Sequence, residues 1–186
     1  MEQLTQAKEQ ELRARSMALQ TQINPHFYYN TLSSIIVLAE NGDSQTVVKM
    51  CRNLSQIMRY ITSTAETTVT LKDELDYVQK YLYCMKVRYQ SSLNYSIDVD
   101  ERLLSQPVPK LIIQPIVENA IRYGSDCAPP WNISVTSIVT HGSWQIEVSD
   151  TGPGFTEEAK ERITANIMKA IQNPGLPELK INGLGT

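Results

Sequence analysis

His26 is one of only two histidines in the chain, and it stands directly behind Pro25 among aromatic rings, in "TQINPHFYYNTL". An imidazole whose attacking nitrogen is unprotonated is a nucleophile. Asn30 lies four residues further on, so a helix through this stretch puts its amide on the face of His26, where it can orient the other ring nitrogen. In "QPIVENAIRYG" (114–124), Glu118 and Asn119 interrupt an apolar pattern of Ile112, Ile113, Ile116, Val117, Ala120 and Ile121. A buried Asn must be paired or must serve a ligand. Its amide oxygen is a hard donor suited to Mg²⁺ beside phosphates. "DTGPGF" (150–155) closes a strand pattern. Asp150 can accept a hydrogen bond from an exocyclic amine, and Gly152 and Gly154 let the backbone pass close to a ligand or take positive φ. Gly183 and Gly185 in "INGLGT" form a second glycine-rich piece suited to a phosphate-contacting loop. Taken singly, each stretch has an ordinary structural explanation: a helix start, an amphipathic stripe, a strand-exit turn.

These residues need elements to hold them. Residues 2–22 are rich in helix formers, with a weak heptad seam that allows a helical extension or a short coiled coil. Asn24 is a good N-cap and Pro25 fits the first helical position, so a helix either restarts or kinks there. It carries Leu32, Ile35, Ile36 and Ala39 on its apolar side. "ENGD" (40–43) is a turn, and a second amphipathic helix follows at 44–62, with Val47, Val48, Cys51, Leu54, Ile57, Met58 and Ile61 at helical spacing. Such a hairpin leaves apolar surface wet unless a second copy completes a four-helix bundle. Residues 62–70 read as a linker, 71–90 as a helix, 93–100 as a strand, and 108–124 as a helix ending at Gly124 in a left-handed cap. Two alternating segments around "THG" predict a β-hairpin, and 156–172 a further helix. The fold class is α+β, with a mixed or antiparallel sheet covered on one face. The expected divisions are a linker helix at 1–23, a dimerising helical hairpin at 24–66 and an α/β domain at 67–186.

Composition excludes several classes. The 186 residues are 41% hydrophobic, which supports a packed core, and the net charge of −3 gives no electrostatic reason for nucleic-acid or anionic-membrane binding. The three cysteines have no metal-ligand spacing and read as reduced thiols. No apolar run approaches a membrane span.

The order of these motifs resembles sensor histidine kinases of the LytS/YesM type, whose ATP domain belongs to the GHKL superfamily shared with DNA gyrase B and MutL. "QINPHFYYNTL" is similar to that family's phosphoacceptor box, "QPIVENAIRYG" to its N-box, "DTGPGF" to its first glycine box and "GLGT" to the start of its second. The resemblance implies a Bergerat-type α/β sandwich after the hairpin. It lacks its C-terminal end, because the family continues past the second glycine box. It implies ATP-dependent autophosphorylation on His26 and phosphotransfer to a response regulator. Asn119 would bind Mg²⁺, and Tyr123 takes a nucleotide-facing position where the family often has His. Asp150 would recognise adenine, Gly152 and Gly154 would shape that pocket, residues 156–182 would form a lid, and Gly183 and Gly185 would line the triphosphate end. The pocket is expected between the Asn119 helix, the Asp150 turn and the lid. Phe27 stands where many histidine kinases carry an acid after the phosphoacceptor, which leaves Glu118 as candidate base. Pro115 stands where hydrolytic relatives carry the water-activating Glu, which favours phosphotransfer over hydrolysis. The implied setting is a homodimer, the cytoplasmic portion of a bacterial inner- or plasma-membrane receptor whose sensor region precedes this chain. The alternatives are a GHKL ATPase and a non-catalytic dimeric signalling module.

Overall fold

The computed structural model describes residues 25–63 and 68–172. The helical pattern at 2–22, Asn24, the lid stretch 173–182, Gly183 and Gly185 lie outside the described residues. The hairpin forms as the periodicity predicts. Helix α1 (Pro25–Glu40) reverses through Gly42, whose φ of 77° suits glycine, into α2 (Ser44–Thr62). Asp43 caps α2 by accepting from the Thr46 backbone N–H at 3.1 Å.

Residues 62–70 are more than a linker. The last three form β1 (Thr68–Thr70), and Thr70 with Asp73 makes a capping box for α3 (Leu71–Tyr89). Strand β2 (Leu93–Asp98) follows α3. The expected helix over 108–124 begins later. Residues 107–109 are strand β3 (Pro107–Pro109), paired antiparallel with β1, and Leu111 has a φ of 62°. Two prolines and a left-handed residue keep this stretch out of helix until α4 (Gln114–Gly124). Strands β4 (Trp131–Thr140) and β5 (Ser143–Asp150) form the expected hairpin, and α5 (Glu157–Gln172) follows. The main sheet is mixed, in the order β2-β4-β5, with β2 parallel to β4 and β4 antiparallel to β5.

Helix α3 is the centre of the molecule. It packs on the hairpin on one side and on β2 on the other, and α4 lies over β4 and β5. Leu82, Leu93, Ile133 and Val135 form the core between helices and sheet. The hairpin's apolar residues divide between two surfaces. Met50, Leu54, Ile57 and Ile61 are buried, whereas Leu32, Ile36, Val37, Val48 and Met58 remain 48–58% exposed. The chain's own α3 therefore covers part of the surface that the sequence assigned to a second copy.

Glu74 of α3, fully buried, ties these parts together. Oε1 accepts from the Tyr60 hydroxyl of α2 and from the Leu111 backbone N–H, both at 2.6 Å, and Oε2 accepts from the Ile113 N–H at 3.2 Å. Ile113 is the N-cap residue of α4, which has no side-chain cap of its own. The carboxylate thus fixes the loop that launches α4.

Candidate active site

Helix α1 carries two adjacent stripes of opposite use. Phe27 and Thr31, four apart, turn inward and are buried, and Thr31 Oγ1 donates to the Phe27 carbonyl at 2.8 Å. The Phe27 ring lies 4.9 Å from that of Tyr81 on α3 and 5.2 Å, edge-on, from Tyr28. The neighbouring stripe is His26 and Asn30. The Asn30 amide nitrogen lies 3.0 Å from His26 Nδ1 and 3.2 Å from Nε2. Asn30 therefore faces the ring edge between the two nitrogens, within reach of either, and orients the ring. Pro25 opens α1, so the anchored Phe27 sets the position of an exposed imidazole within the first helical turn.

That imidazole stands on a cavity of about 420 Å³ between α1, α3 and α4, whose polar wall is His26, Arg88, Glu118, Asn119 and Arg122. The structure therefore brings the histidine motif and the Glu118–Asn119 pair into one space. Glu118 is the sole carboxylate lining it among the described residues. Burial pushes its pKa above the ordinary carboxylate range, against the Gln114 amide, which donates to Glu118 Oε1 at 2.5 Å. Burial first, and then the Glu118 charge, raises the Tyr81 and Tyr77 hydroxyls, so both stay protonated.

Asp150 lies elsewhere. It lines a separate cavity of about 260 Å³ beside Asn132 and Thr151, and its Oδ1 accepts from the Gly152 N–H at 2.7 Å. The Asn119 cavity thus opens toward α1 and not, as expected, toward the Asp150 turn. The two regions meet through glycine. A Cβ on Gly152 would lie 2.6 Å from Asp150 Oδ1 and 3.2 Å from the Gly124 Cα, so only glycine lets the turn close onto the end of α4. Gly124 itself is not in the left-handed region, which corrects the expected cap: the chain continues right-handed into Ser125, whose N–H bonds Ile121 O. Gly154 does take positive φ, 74°. Tyr123 is half-buried, 5.7 Å from the Arg122 guanidinium, and does not line the Asn119 cavity. Sequence reasoning missed Arg88 and Arg122. Arg88 reads as one more charge in the last turn of an amphipathic helix, and only the docking of α1 onto α3 reveals its role in the wall.

The donor set fits a magnesium nucleotide. An amide oxygen and one carboxylate suit an ion that takes few protein ligands and completes its shell with phosphates and water. Two guanidinium groups suit the phosphates.

A helical hairpin docked on an α/β domain, with an exposed histidine beside an Asn-bearing helix, defines a class of protein, and comparison places the chain in it. Residues 14–93 match the family model described as histidine kinase, and residues 105–185 match that described as histidine kinase-, DNA gyrase B-, and HSP90-like ATPase. The sensor histidine kinase YesM of Bacillus subtilis is 36% identical over 149 residues, covering 80% of this chain and 25% of that protein. An uncharacterized sensor-like histidine kinase of Staphylococcus epidermidis is 34% identical over 172 residues, 89% of this chain and 33% of that protein. The sensor protein kinase HptS of Staphylococcus aureus is 29% identical over 151 residues, 80% and 28% respectively. This chain belongs to the sensor histidine kinase family, with a domain of the ATP-binding GHKL type following its helical region. It spans between 25% and 33% of the length of these relatives. Among the described residues no helix is long and apolar enough to cross a membrane.

Proposed function

We propose that this chain is the kinase region of a two-component sensor, that it phosphorylates itself on His26 with ATP, and that it passes the phosphoryl group to a response regulator. One observation carries the reading: His26 shares a cavity with Glu118 and Asn119. In the proposed reaction Asn30 orients the imidazole. The lone pair of the unprotonated ring nitrogen forms a bond to the γ-phosphorus, and the bond from phosphorus to the bridging oxygen breaks, its electron pair leaving on ADP. Glu118, with its raised pKa, accepts the proton that the opposite ring nitrogen gives up. Asn119 would hold Mg²⁺, which supplies charge neutralisation at the phosphates. Asp150 and Gly152 would form the adenine end. The half-exposed face of Leu32, Ile36, Val37, Val48 and Met58 suits a second copy, giving a homodimer. Membrane attachment, in this reading, belongs to sequence outside the chain.

The test is labelling with γ-phosphate-labelled ATP in the full-length protein. Label on the wild type should be stable to alkali and labile to acid. It should vanish in His26→Gln and persist in His141→Gln, a change confined to the β4–β5 turn. Retention of label by His26→Gln would overturn the reading. Phosphate release without protein labelling would assign an ATPase instead.

A further inference from the structure

We propose that Arg88 is a further catalytic residue: its guanidinium grips the phosphoryl group as that group passes to His26. The proposal rests on the kinase reading above. The cavity has two cations, and they belong to different walls. Arg122 stands three residues after Asn119 on α4, so it travels with the helix proposed to hold the nucleotide. Arg88 stands on α3, seven residues after Tyr81 and therefore on the same helix face two turns along. Tyr81 is the residue against which Phe27 packs. Arg88 is thus fixed to the support of the phosphoacceptor and keeps its position relative to His26.

Its guanidinium has no ion-pair partner among the described residues. Arg102 pairs with Asp100, Lys80 with Asp76 and Lys160 with Glu157, but no carboxylate pairs with Arg88. Its guanidinium carbon lies 4.8 Å from the centre of the Tyr89 ring. A half-buried arginine without a carboxylate partner, lining a cavity beside a nucleophilic histidine, is matched to an anion. The planar fork donates two parallel N–H groups, the geometry of two non-bridging phosphoryl oxygens. Transfer leaves charge on those oxygens while the N–P bond forms and the P–O bond to ADP breaks. Arg88 makes and breaks no covalent bond. It neutralises that charge on the His26 side, where Phe27 and Asn30 offer none.

The experiment compares Arg88→Gln and Arg88→Lys with wild type in the full-length protein. The rate of His26 labelling at saturating ATP should fall roughly 10²–10³-fold in Arg88→Gln, with nucleotide affinity by calorimetry within about twofold of wild type. Arg88→Lys keeps a cation at the end of α3 but loses the fork, so it should fall about tenfold or more, whereas a purely structural cation would be rescued by lysine. A second readout needs no turnover. The ³¹P signal of phosphorylated His26 should titrate at higher pH in Arg88→Lys than in wild type, because the paired guanidinium favours the dianion. Wild-type labelling rates in Arg88→Lys would overturn the proposal, as would a loss of ATP affinity equal to the loss of rate. If Arg88→Gln fails to fold by circular dichroism, Arg88→Lys decides. A wild type that takes no label refutes the kinase reading itself, which separates the two failures.

Discussion

Glu118 is buried at a cost to stability, and in the proposed reaction it takes up a proton. Its pKa is raised by burial, so the folded chain holds its proton to higher pH than the unfolded chain does. The stability linked to that proton is fully present below the unfolded carboxylate pKa and is lost as pH rises through the folded one. At neutral pH the charged carboxylate is therefore a destabilising group. Glu118→Gln should raise the melting temperature at pH 7–8 relative to wild type, with the gain shrinking toward pH 4, while labelling of His26 falls roughly 10²–10⁴-fold. Calorimetry across that pH range checks the first part. Wild-type labelling should rise with pH as Glu118 ionises, and the variant should lose that limb. The candidacy of Glu118, like those of His26 and Asn119, was legible because a nucleophile or a ligand is recognised by residue type and immediate neighbours. Arg88 was not, since its meaning depends on a cavity assembled from residues 26, 88 and 118–122, far apart in sequence.

At the scale of elements, periodicity revealed α1, α2, α3 and the β4–β5 hairpin, because each repeats one pattern over several turns or pairs. It failed at 107–113. The apolar run there resembles the helix it precedes, and the pairing of β3 with β1 is a long-range contact that no local pattern announces. The buried Glu74 is what this irregular stretch requires, as it satisfies the Leu111 and Ile113 N–H groups. Glu74→Ala should cost roughly 2–5 kcal/mol in urea denaturation, because it orphans buried donors. Glu74→Gln should recover part of this, since its amide oxygen can keep the Tyr60 and Leu111 bonds while its NH2 turns a donor toward the Ile113 N–H. Tyr60→Phe removes a single bond to the same carboxylate and should cost about 1–3 kcal/mol. Because Tyr60 ends the hairpin and Ile113 starts α4, these variants should also slow His26 labelling more than they weaken the sheet.

The whole molecule decides which histidine an ATP site serves in a dimer. The sequence presents the hairpin as a dimerising unit and leaves open whose catalytic domain its histidine meets. The structure packs Phe27 at 4% exposure against Tyr81 of its own chain, and His26 lines a cavity with its own Asn119. The apolar residues left for a second copy, Leu32, Ile36 and Val48 among them, are separate from that contact. Dimerisation through them need not disturb the docking of α1 on α3. Transfer should therefore run within one chain. The check is to co-express full-length His26→Gln and Asn119→Ala chains with different tags and purify the mixed dimer through both. One chain then has an ATP site without an acceptor, and the other has an acceptor without an ATP site. Transfer within a chain predicts no label above that of the two single variants. Label on the Asn119→Ala chain would instead show that His26 leaves its own cavity and reaches across the dimer, and the buried seat of Phe27 would then have to open in each catalytic cycle.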